Sequence, residues 1–197
     1  MNKFTGNVNV DIGIINRLND KELGQVCQVN RYANSLCKNE NLWMNRILKY
    51  YPEAHKYKKE DKTWRDYYIQ IASYLGKYSD IDEAMKEAAR DGPKEIVELF
   101  IEKGATHWNS GMANAVYVGH KDLVDFFIKK GANNWNWGME RAAKGGHKEL
   151  VDFFISKGAT NWDWGMVYAA QGGYKELVEF FIKKGATNWN WEWIMQH

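Results

Sequence analysis

The chain has 197 residues, 45% of them hydrophobic, with 27 basic side chains against 25 acidic ones. That is enough apolar material for one or two packed domains, and so even a balance of charge argues against a nucleic-acid partner. The opening Met-Asn-Lys-Phe-Thr-Gly lacks the apolar run of a secretory leader, and no stretch is apolar for long enough to span a bilayer.

Only Cys27 and Cys37 occur, and there is no Asn-x-Ser/Thr sequon. Both features point to a reducing, cytoplasmic or nuclear setting, which favours buried free thiols over the alternative, a disulfide between the two cysteines. In chain order, Val10, Ile14, Ile15 and Leu18 share one side of a helix. Asn19-Asp20 breaks it, and Asp20 is the expected N-cap of a second helix carrying Leu23, Val26 and Cys27. Ala33, Leu36 and Cys37 mark a third helix. Asn39 caps a fourth, with Leu42, Trp43 and Ile47 turned inward. Residues 1–48 therefore read as a small helical module.

Asp11-Ile12, Leu18 to Leu23, Cys27 to Tyr32 and Asn41-Leu42-Trp43 together resemble an F-box over residues 8–48, without the Leu-Pro that usually opens that motif. The resemblance implies docking on the Skp-type linker of a cullin ubiquitin ligase, through Ile12, Ile15, Leu18, Leu23 and Val29. The same five residues equally suit the module's own core, and both assignments stay open.

Residues 49–78 begin with Lys49, Lys56, Lys58, Lys59, Lys62 and Arg65 among Tyr50, Tyr51 and Tyr57. Glu53, Glu60, Asp61 and Asp66 dilute that charge, which favours a solvated linker over a phosphate site. Trp64, Tyr67, Tyr68, Ile71 and Leu75 then return to helical spacing and predict a connecting helix that docks the module onto the C-terminal half of the chain.

From residue 79 a block of 27 residues repeats, at 79–105, 106–132, 133–159 and 160–186, with a stub at 187–197. A period in this range signals a stacked array whose units bury their apolar faces against one another. In the third copy Met139, Ala142, Ala143 and Gly146 give a short first helix, ended by Gly145-Gly146. His147 opens a second helix with Leu150, Val151, Phe153, Phe154 and Ile155, so apolar that packing on most sides is expected, and Gly158 stops it. The spacings Asp125/Lys129 and Glu179/Lys183 predict ion pairs one turn apart. Too few residues remain for a strand, so the array is expected to be purely helical.

The run Ala-Ala-x-x-Gly-His-x-x-Leu-Val with its closing Gly-Ala, clearest from Ala142 to Ala159, resembles an ankyrin repeat. The resemblance implies an all-α fold, an F-box-like module followed by an ankyrin-like α-solenoid, that binds a protein target along its first helices. The usual unit is about 33 residues and opens Thr-Pro-Leu-His. Here Trp-Asn-Trp-Gly-Met stands there instead, and the projecting hairpin is missing.

Trp108, Trp135, Trp162 and Trp189 hold one repeat position, and Trp137, Trp164 and Trp191 another. They could form an aromatic ladder for a ligand, or staple each unit to the next. Identity in every unit suits packing, which favours the staple. Positions that vary between matched copies are better candidates for recognition, with neutral drift at exposed sites the alternative that stays open: Ala113, Asn114, Tyr117 and Val118, then Glu140, Arg141 and Lys144, then Val167, Tyr168 and Gln171. His120 and His147 lie a whole unit apart, with Pro93 or Tyr174 as counterparts, and read as hydrogen-bonding residues at turns, not metal ligands. No phosphate loop, nucleophile elbow or zinc-ligand spacing occurs, so neither enzyme activity nor a cofactor is expected. The expected function is that of a monomeric adaptor, with a protein target on the array and the linker on the module. Such pairings are typical of large DNA viruses, which by resemblance implies action in host cytosol.

Overall fold

A computed structural model describes residues 4–29 and 31–187, with Val29 described by its backbone alone. These residues form thirteen α-helices, one 3-10 turn and no strand. The architecture is all-α, and the chain divides into two compact units, Met1–Lys77 and Tyr78–His197.

The first unit holds α1 (Val8–Ile15), α2 (Asp20–Val29), α3 (Arg31–Cys37), α4 (Glu40–Tyr50), a 3-10 turn (Pro52–Tyr57) and α5 (Trp64–Lys77). α2 is capped one residue earlier than its sequence suggests. Asn19 Oδ1 accepts from Glu22 N at 2.9 Å while Glu22 Oε2 accepts from Asn19 N at 2.9 Å, a reciprocal capping box. Asp20 is thereby left to meet Arg46, which lies in the inward stripe of α4 and is 1% exposed. The guanidinium donates to Asp20 Oδ1 at 2.7 Å, to Leu18 O at 3.0 Å and to Tyr68 Oη at 3.2 Å. One buried cation thus ties α2 and α4 to α5. Burial opposes its charge, but the bonds to Tyr68 and Asp20 outweigh burial and raise its pKa.

Two expectations are corrected here. Cys27 and Cys37 are joined in a disulfide with Cα atoms 6.1 Å apart, so they are not free thiols. The helix pair α2 and α3 turns back within ten residues and brings the two side chains together. Residues 49–65 are also not a plain solvated linker. Ala54 is fully buried and its carbonyl accepts from Tyr67 Oη at 3.0 Å, while Trp64 stacks on His55. α5 buries Tyr67, Tyr68, Ile71 and Tyr74 and packs on α4, so the first unit runs to Lys77.

The second unit is four helical hairpins: α6 (Ile81–Asp91) with α7 (Lys94–Glu102), α8 (Trp108–Val118) with α9 (Lys121–Lys130), α10 (Trp135–Gly145) with α11 (Lys148–Ser156), and α12 (Trp162–Gln171) with α13 (Lys175–Lys184). Each first helix packs on its own second helix and on the first helix of the next unit. This is the helical repeat solenoid that the period predicted. Within a hairpin the seam is a ring in a notch. A Cβ on Gly111, Gly138 or Gly165 would lie 2.4–2.5 Å from the ring of Phe127, Phe154 or Phe181, each fully buried. Glycine there lets the ring sit against helix backbone at close-packed density.

The second helices are less enclosed than their composition suggests. Phe126, Phe153 and Phe180 stay half-buried, with Lys130, Lys157 and Lys184 lying 5.4–5.6 Å from the ring centres. The spacings Asp125/Lys129 and Glu179/Lys183 make no ion pair among the described residues, whereas Lys94–Glu98 and Lys148–Asp152 do. Exposed pairs gain too little in water for spacing alone to decide which form.

Candidate interaction surface

Successive units are held by two devices, each repeated with the 27-residue period. The first is an Asp or Asn at the second residue of every first helix. Asp82 Oδ1 accepts from Thr106 N and His107 N, both at 2.7 Å. Asn109 Oδ1 accepts from Asn133 N and Asn134 N, both at 2.9 Å. Asn136 Oδ1 accepts from Thr160 N at 2.8 Å and Asn161 N at 3.1 Å, and Asp163 Oδ1 accepts from Thr187 N at 2.7 Å. The clamps of Asp82, Asn109 and Asn136 satisfy N–H groups that lead into the following helix, where no helical partner exists. The second device is the histidine expected at the turn. His120 Nε2 donates to Arg90 O at 3.2 Å and His147 Nε2 to Tyr117 O at 3.1 Å. A carbonyl can only accept, so the proton sits on Nε2 in both. Tyr174 replaces the histidine in the last unit and lays its ring where a Cβ of Gly146 would be.

The tryptophans stand beside these devices and are not the sole link between units. Trp108, Trp135, Trp137 and Trp162 are half-buried, and within their own units Trp108 lies over Gly131 and Trp135 stands 6.4 Å from Phe154. Trp108 does reach back, donating to Ala105 O of the preceding unit at 3.1 Å. Trp164 is 46% exposed and tilts against Tyr168 at 5.9 Å. Trp189 and Trp191 lie outside the described residues.

The variable positions fall on α8, α10 and α12 and mostly face outward from the packing. Tyr117, Glu140, Arg141, Lys144, Tyr168 and Gln171 are half-buried, and Val118 is exposed. Asn114 and Ala113 differ, being buried. Asn114 Nδ2 donates to Lys86 O at 3.0 Å, so this residue links two units and is not offered to a partner. Arg141 lies over the Tyr117 ring at 5.6 Å and Lys144 over the Tyr168 ring at 5.7 Å, each cation meeting an aromatic of a neighbouring unit. Asn161 Nδ2 donates to Glu140 Oε1 at 3.3 Å; burial, the largest influence on this carboxyl, raises its pKa.

In the first unit Ile15 and Leu23 are buried in the core, while Ile12 and Leu18 are half-buried. The Val29 side chain lies outside the described residues. A cleft of about 600 Å³, walled by Leu23, the Cys27–Cys37 bridge, Trp43, Tyr68 and Ile69, opens between α2, α4 and α5. The sequence alone did not suggest it, because its walls are single turns of separate helices. Among the described residues no cluster of His, Cys, Asp and Glu is placed to hold a metal ion, and no helix is long and apolar enough to cross a membrane. No protein-family model matches the chain, and no curated protein matches it.

Proposed function

We propose that the chain is a protein-interaction adaptor. The ankyrin-like array captures a protein target on its row of first helices, and the F-box-like module docks on the Skp-type linker of a cullin ubiquitin ligase in the cytoplasm. One observation carries the first half. Over a frame held by repeated Asp or Asn clamps, notched rings and turn glycines, the half-exposed positions Tyr117, Arg141, Lys144, Tyr168 and Gln171 change from unit to unit. A frame that repeats while its outward face varies is what a recognition surface on a solenoid requires.

A second reading, a stand-alone scaffold with no ligase role, is favoured by the burial of Ile15 and Leu23. These are two of the residues that the F-box likeness would offer to the linker. Mixing the folded chain with purified Skp-type linker separates the two. Complex formation at about micromolar concentration supports the adaptor, and no complex by size-exclusion chromatography leaves the scaffold alone.

A further inference from the structure

The first-helix row of the array carries four cations, Lys86, Arg90, Arg141 and Lys144. On α6, Lys86 pairs with Glu83, and Arg90 with Glu87 at 3.6 Å, so both cations of that helix are paired. Those of α10 are not. Among the described residues neither Arg141 nor Lys144 has a carboxylate within 4.0 Å. Glu140, next to Arg141 in sequence, accepts from Asn161 of the following unit; it feels the Arg141 charge, but burial is the larger influence and it makes no ion pair with the guanidinium within 4.0 Å. α8 and α12 bring no basic residue and only the clamp Asp163 as an acid.

Arg141 is also held in place while most of its donors stay unused. Its guanidinium is stacked on Tyr117, one Nη2 contact reaches Asn114 Oδ1 at a long 3.4 Å, and its Nε is buried without a hydrogen bond. A guanidinium presents five N–H donors in a planar fork matched to a carboxylate. Further aromatic faces lie by the second cation, with Tyr168 beside Lys144 and the exposed Trp164 beside Tyr168.

We propose that this patch on α8, α10 and α12 takes an acidic segment of the target protein. One carboxylate seats on the Arg141 fork and a second lies near Lys144, while Trp164 and Tyr168 cover the segment's apolar part. The assignment rests on the protein-capture reading above and names the chemistry of the captured segment. A peptide suits the patch better than a nucleic-acid strand. Two cations without an ion pair inside 4.0 Å are too few to follow a run of phosphates, and the chain as a whole has nearly even charge.

The test is selection of a random peptide library on the immobilised full chain, followed by affinity measurements on one enriched peptide. Expected are enrichment in Asp and Glu, and a loss of about tenfold or more on Arg141→Gln or on replacing the peptide's Glu by Gln. Lys144→Gln should weaken binding in the same direction, which guards against a folding defect particular to Arg141. Lys175→Gln, on the exposed start of α13, should bind as the parent does. Enriched peptides that lack acidic residues, and that are lost on Trp164→Ala but not on Arg141→Gln, would overturn the charge assignment while leaving the groove intact. No enrichment at all would overturn both. An Arg141-dependent single-stranded oligonucleotide binding more tightly than any peptide would overturn the proposal in favour of nucleic acid.

Discussion

Gly145→Ala should destabilise the array, although an Ala for Gly exchange inside a helix ordinarily helps. Gly145 is the last residue of α10, and the exchange carries a propensity gain of about 1 kcal/mol. Against this, a Cβ there would stand 2.2 Å from the carbonyl oxygen of Tyr117 in the preceding unit. The obstacle is backbone, so no rotamer relieves it and the two first helices must part. Parting them strains the packing at a cost of about 1–3 kcal/mol. It also stretches the 3.1 Å bond from His147 Nε2 to that same oxygen, a further loss of about 0.5–1.5 kcal/mol. The net expectation is a loss of about 1–3 kcal/mol, or several degrees in the melting temperature of the second unit. The control is Gly24→Ala in α2, where nothing lies within 4 Å of the added Cβ and the exchange should be neutral or stabilising. Thermal melts followed by circular dichroism decide the matter. A Gly145→Ala chain melting at or above the parent temperature would refute the close approach between units.

Asn136→Ala removes both acceptor contacts of one clamp and should cost about 1 kcal/mol. Asn136→Asp should keep the stability, since Asp82 and Asp163 already serve at that position; chemical denaturation of each variant measures the difference. Trp135→Ala should lower stability by about 3–5 kcal/mol, as buried aromatics do, though Trp135 is only half-buried and the lower end is expected. Trp164→Ala should change the melting temperature much less because the ring is 46% exposed, and equal shifts for the two would contradict their different burial. Asp11 gives the first unit a pH dependence. Burial pushes its pKa up, but hydrogen bonds from Thr5 N and Oγ1, Gly6 N and Tyr32 Oη outweigh burial and leave it lowered. A lowered folded pKa stabilises above the unfolded value, about 3.9, and the stabilisation fades as pH falls through the folded pKa. The stability gap between the parent and Asp11→Asn should therefore be constant near neutrality and close in acid; a gap independent of pH would remove Asp11 from that role.

The array was legible because its signals are local. Glycine after a small-residue helix, an apolar second helix and a second glycine state a hairpin within one copy, and four copies state the stack. The joints between copies were harder to see. Asn109, Asn136 and Asp163 were in plain view beside the tryptophans, yet their function depends on N–H groups 24 and 25 residues further on. The large ring drew the assignment that the small amide carries. Arg46 was hidden for a related reason. It stands at inward spacing with Leu42, Trp43 and Ile47, where an apolar residue is expected, and only α5 supplies the Tyr68 that makes it tolerable. Of the candidate recognition residues, variation between copies picked out Tyr117, Arg141, Lys144, Tyr168 and Gln171 as half-exposed. It failed at Asn114, because a residue that varies can still be buried when its neighbour varies with it. Arg141 Nη2 reaches Asn114 Oδ1 at 3.4 Å, so the two positions belong to one contact.

The Cys27–Cys37 bridge separates the two units in a way that can be measured. It closes a loop of ten residues by tying α2 to α3, and the second unit contains no cysteine. Closing a loop of that size restricts the unfolded chain by about 3 kcal/mol in the entropic account. A compartment poised to reduce disulfides withholds that contribution from the first unit and leaves the array untouched. Hydrogen exchange of the backbone amides, followed segment by segment with and without reductant, should show protection of the first unit that falls only under reduction. Circular dichroism of the parent should show the array transition unmoved. If both fall together, the units do not melt independently; if neither falls, the bridge does not restrain the unfolded first unit, and the helical pair is held by Leu23, Ala33 and Leu36 alone.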